Sequence, residues 1–175
     1  MKAWRTVLQR AICVGVAFVA VTACASNNDP SGGTFTVEFP STAAAIATDY
    51  VQVLVFDVKS PTQRAGLCQE LITARLTSPA SLAPSIPPVV QNICEILNGK
   101  KPLTSPYGEH AVVAIAQRTD GNNQIQDFMI GCAIMTIGDG DAPLPIPLKL
   151  VSVRVGVPAT TCSSVSERCR PGNSC

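Results

Sequence analysis

Histidine is almost missing from this chain: His110 is the single one in 175 residues. A histidine is the usual general base at neutral pH, so one copy leaves little room for histidine-centred catalysis. Its neighbour Glu109 cannot act with it directly, because successive residues of a strand point to opposite faces. A strand-start residue close to Pro106 and Gly108 is the simpler reading of His110. Also lacking are a CxxC redox pair, a GxSxG nucleophile elbow, a phosphate-cradling glycine loop and a zinc-protease helix. Charge is scarce as well, at 14% of residues. No basic cluster is denser than Lys100 with Lys101 or Arg168 with Arg170, so a nucleic-acid partner has no electrostatic footprint. A long apolar run is absent too: the apolar stretch near the start, AICVGVAFVAVTA at 11–23, falls short of the roughly 20 apolar residues that a spanning helix needs.

What is present begins with that stretch. Lys2, Arg5 and Arg10 precede it with no acidic residue among them, and small residues Ala23 and Ala25 flank its end. A basic start, an apolar core of this length and a small-residue junction form the secretory signal pattern. The residues Val21, Thr22, Ala23 and Cys24 then resemble the lipobox of bacterial lipoproteins, with Val in place of the commoner Leu. That resemblance implies diacylglycerol on the Cys24 thiol and cleavage between Ala23 and Cys24. The position after the cysteine is Ala25 rather than Asp, which in Gram-negative lipoproteins favours the outer membrane over the inner. Two or more acyl chains give stable anchoring. The expected partner is therefore the membrane itself, with an envelope protein or polysaccharide as a possible second. Residues 25–34, ASNNDPSGGT, have turn-forming composition and no periodicity, so residues 24–34 read as a tether.

The signal, 1–23, carries three of the thirteen basic residues and none of the twelve acidic ones, which leaves a slightly acidic chain of one-domain size. It also carries Cys13, and lipid takes Cys24, so six cysteines remain: Cys68, Cys94, Cys132, Cys162, Cys169 and Cys175. An even number in an exported chain suggests three disulfides. A Cys68–Cys94 bridge would staple the segment that holds both. Three cysteines in the tail 162–175 require at least one to bond outside it, to the body or to another chain, with Cys132 or that segment as the expected partner. Fifteen pairings are possible, and sequence does not choose among them.

Strand signals dominate residues 35–157. TFTVEF (34–39) alternates, with Phe35, Val37 and Phe39 on one face. A small-residue turn is expected around 40–49, followed by YVQVLVFDV (50–58), which has too few polar positions for a surface strand and should be buried on both faces. EHAVVAIAQR, QIQDFMIGCAIMTI and PIPLKLVSVRVGV, joined by TDGNN and GDGDAPL, read as antiparallel hairpins. Between them, 61–103 is a proline-rich insertion. There LCQELITARL would form a short helix burying Leu67, Leu71 and Ile72, and VVQNICEILNG a second one stopped by Gly99. The sum is a mainly β protein: an antiparallel β-sandwich over 35–157 and a Cys-rich tail over 158–175. The stretches TAAAIATDYVQVLVFD, PYGEHAVVAIA and FMIGCA resemble immunoglobulin-like or transthyretin-like sandwiches of exported lipoproteins. A fold of this kind implies no particular chemistry.

No cofactor or metal is called for. Asp139 and Asp141 in GDGD could face a hard cation, but calcium takes six to eight oxygens and two carboxylates are too few. A hairpin turn accounts for the same residues, as it does for TDGNN. Cys162, Cys169 and Cys175 are spaced unlike zinc ligands. The expectation is a non-enzymatic, lipid-anchored binding or structural module with contact loops at 119–123 and 138–143. Its rivals are a hydrolase of envelope polymers, with Asp57 converging on Glu109 or Asp127 in a cleft, and an accessory subunit of an export machine showing an exposed apolar patch.

Overall fold

The structure, a computed structural model, describes residues 32–138, 143–151 and 161–173. The Cys24 lipid site, the signal, most of the tether, Asp139, Asp141, Cys175 and the end of the last expected strand lie outside them. The elements are β1 (Gly32–Glu38), α1 (Thr42–Ala47), β2 (Tyr50–Asp57), α2 (Pro61–Thr77), β3 (Val89–Asn92), α3 (Ile93–Leu97), β4 (Leu103–Pro106), β5 (Gly108–Thr119), β6 (Ile125–Ile137), β7 (Leu144–Pro147), β8 (Lys149–Leu150) and α4 (Val165–Arg168). They build two sheets, β4-β1-β7 and β3-β2-β5-β6-β8, in a mixed α/β arrangement.

The larger sheet is the middle of three layers. Alternation along its strands sends Val51, Val53, Val55, Val112, Ala114 and Ala116 towards the small sheet, where they meet Phe35, Leu103 and Ile146. It sends Leu54, Phe56, Ala111, Val113, Ile115 and Ile130 the other way, onto Leu67 and Leu71 of α2. That second cover explains why β2 reads as apolar on both faces, as its sequence predicts.

Helix α2 corrects the expectation of a short helix in a loose insertion: it runs for 17 residues and forms the third layer. The Ser60 hydroxyl accepts from the Gln63 amide, Pro61 occupies the first turn, and the Gln63 side chain accepts from the Lys59 amide. This is a variant of the capping box, and it sits several residues before the apolar spacing begins. Leu67 and Leu71, four apart, then share one face, each contributing about 1.5–3 kcal/mol by burial.

Other boundaries differ in detail. Strand β1 starts at Gly32, two residues before the alternation becomes visible. Its pairing with β7 is parallel, with Phe35 opposite Leu144 and Glu38 opposite Pro147, so the strands are not all antiparallel. The segment expected as a turn at 40–49 contains α1, whose N-cap Ser41 accepts from the Ala44 amide. VVQN forms an edge strand rather than the start of a helix, and only ICEIL is helical. Gly99, at φ 67°, ends that helix as expected.

The cysteines settle differently from the staple anticipated within the insertion. Cys68 bonds Cys132, tying α2 to β6, and Cys94 bonds Cys169, tying α3 to the tail. The insertion therefore does receive the tail. Cys162 is buried and disulfide-bonded, with its partner outside the described residues.

Candidate functional site

The carboxylates singled out in the sequence do not come together. Asp57 faces His110 across the β2–β5 ladder, with Oδ1 3.3 Å from Nδ1, and the His110 ring meets the Tyr107 carbonyl through Nε2 at 3.1 Å. Glu109 points to the opposite face, where Arg64 of α2 lies 3.0 Å away. Asp127 stands at the far end of the sheet, opposite Gln117 and seven β5 positions from His110, about 23 Å along the strand. There it accepts from Arg75 Nε at 2.7 Å, Arg75 Nη2 at 2.9 Å and Gln117 Nε2 at 2.9 Å. Burial works against the Asp127 charge, but the bonds from Arg75 and Gln117 and the guanidinium charge outweigh it and hold the carboxyl below its usual range.

Turn chemistry absorbs the TDGNN motif. The Asp120 carboxylate accepts from the Gln124 and Asn122 amides and from the Gln126 side chain, and these bonds, the Gln124 one foremost, lower its pKa. The left-handed residue is Asn123, at φ 60°, rather than the glycine. Glu167 is likewise held low, first by the Ser163 amide and then by the Ser163 hydroxyl. Its neighbour Arg168 reaches the carbonyls of Ile46 and Thr48 at the end of α1 and the carboxylate of Asp49, so Arg168 seats the tail on the body. Among the described residues no group of three or more metal-ligating side chains occurs, and no helix is long and apolar enough to cross a membrane.

Two concavities among the described residues lie between separate elements. One, of about 440 Å3, lies between the end of β2, α2 and residues 81–85, and its walls include Asp57, Lys59 and Glu70. The other, of about 390 Å3, opens between the start of the small sheet and α3. Its existence follows from the chain path. The β4–β1 ladder ends at Phe35 opposite Leu103, and beyond it the chain turns away through residues 99–102 towards α3. A gap is left beside Thr36 and Val37, floored by buried Val51 and Ile93 and walled by Ile96 and Leu97. Thr34 and Thr36 are its polar side chains, and no charged residue lines it. Helix α3 is held in place by buried Ile93 and by the Cys94–Cys169 bond, so the opposite wall is fixed.

This cavity is the better binding site, because concave, mostly apolar walls with few polar groups are what small ligands occupy. Sequence reading did not find it. Its walls come from four separate stretches, and the one local hint was the pair of apolar residues ending ICEIL just before a glycine stop. No protein-family model, curated protein or solved structure matches the chain.

Proposed function

We propose that the chain is a lipid-anchored cell-envelope protein, fixed through Cys24 in the outer membrane, whose disulfide-locked body serves as a non-enzymatic binding module. The observation that supports it best is the use of cysteine. Cys68, Cys94, Cys132, Cys162 and Cys169 are all in disulfides, as suits an oxidising compartment beyond the cytoplasm. The lipobox-like Val21-Thr22-Ala23-Cys24 behind a basic, apolar start supports the anchor. The immunoglobulin-like or transthyretin-like reading draws support from the two facing sheets, while the parallel β1–β7 pair and the covering helix stand outside it.

Intact-mass measurement of the membrane-extracted protein tests this reading. The expected species begins at Cys24, carries acyl mass and gains six hydrogens on reduction. An unacylated chain, or a Cys24→Ala form cleaved at the same bond and held as firmly by membranes, would overturn it.

A further inference from the structure

We propose that the cavity between β1 and α3 binds a single-chain amphiphile with an anionic head, of the fatty-acid class. This deepens the binding role proposed above and rests on it.

The walls select the tail. Phe35, Val37, Phe39, Ile96 and Leu97 present hydrocarbon, and no charged residue lines the space. A sugar or a charged metabolite placed there would lose water without gaining partners. At about 390 Å3 the space lies towards the small end of ligand sites.

The lip selects the head. Gly99 and Pro102 both line the cavity, so the Lys100–Lys101 pair forms the stretch of lip between them. Lys101 is committed, its Nζ 3.0 Å from Glu95 Oε2. Lys100 is exposed and has no carboxylate partner among the described residues. An uncommitted ammonium beside an uncharged apolar cavity is complementary to a ligand that joins an apolar tail to an anionic head. An extended peptide fits less well. Past the Phe35–Leu103 pair, only Thr36–Glu38 of β1 runs without β4 beside it, too short an edge for strand addition.

The mature-length chain, expressed from residue 24 on with Cys24→Ala and so without the signal or the thiol that would take lipid, is titrated calorimetrically in detergent-free buffer with dodecanoate and with dodecyltrimethylammonium. Dodecanoate should bind saturably at one site, roughly tenfold more tightly than the cation of equal tail. Leu97→Asp places a charge on the wall at a half-exposed position and should weaken dodecanoate roughly tenfold or more. Leu76→Asp, at an equally exposed leucine on α2 remote from the cavity, should leave it unchanged. Lys100→Glu should remove the preference for the anionic head. Absence of saturable dodecanoate binding, equal binding of both head groups, or undiminished binding by Leu97→Asp would overturn the proposal. Binding of a short alternating apolar peptide in place of dodecanoate would overturn it too. These titrations are independent of Cys24, so their failure leaves the anchor standing, and an unacylated native chain would sink the anchor alone.

Discussion

Asp127 shows how one residue acquires its role from partners the chain brings from afar. Half-buried, it holds its charge because Arg75, 52 residues away, and Gln117 donate to both of its oxygens. Its folded pKa lies below its unfolded one. The stability it contributes is therefore complete above the unfolded value of about 3.9 and is lost as pH falls through the folded value. Asp127→Asn should cost about 1.5–3 kcal/mol at pH 7 in urea unfolding. Variant and parent should converge as the pH falls through the folded value of the carboxyl. A gap as wide in acid as at neutrality would show that the charge is not the stabilising feature. The sequence drew attention to Asp127 as a carboxylate that could converge with Asp57 in a cleft, but nothing near it in the chain pointed to Arg75.

At the scale of elements, β6 departs most from its own pattern. The β5–β6 register shifts between Ala116 and Gln117, so that Phe128 is an extra residue in β6 and joins Met129 in the same core cluster. A strict alternation would have sent one of them to the opposite face. Three positions on, β6 is crossed closely by the β7–β8 connection. A Cβ at Gly131 would lie 1.9 Å from the Pro147 carbonyl oxygen, a backbone atom that cannot swing aside. Gly131→Ala should therefore destabilise by about 1–3 kcal/mol. The melting temperature should drop by roughly 2–4 °C per kcal/mol for a chain of this size. An unchanged melting temperature would mean the crossing chain yields freely. The strand was legible from FMIGCAIMTI, whereas the bulge and the crossing were not, since both depend on what lies opposite.

For the whole molecule, the two described bridges interleave: Cys68–Cys132 and Cys94–Cys169 close loops with separations of 64 and 75 residues that overlap. Each should contribute about 2–4 kcal/mol, less than additively because closing one loop already restricts the other. Their local effects should differ. Replacing Cys94 and Cys169 by serine should raise amide exchange in α1, α3 and α4, where Arg168 and the bond seat the tail, and leave the β5–β6 ladder protected. Replacing Cys68 and Cys132 should loosen α2 instead. Uniform exchange increases in both variants would mean that the layers open as a single unit.

Sequence by itself determined what near neighbours encode. Alternation marked β1, a nearly unbroken apolar run marked the doubly covered β2, Gly99 marked a helix stop, Asp120 a turn, and the spacing of Leu67, Leu71 and Ile72 a helix. Ser60 and Gln63 held the true start of that helix, a signal present but masked by the weak apolar pattern around it. Tertiary structure alone decided which cysteines bond, which cation each carboxylate meets, that α2 covers a sheet, and that a gap opens where β4 leaves β1. Periodicity and capping act within a few residues and are written in order along the chain, while pairing and cavities depend on distances in space between segments many tens of residues apart.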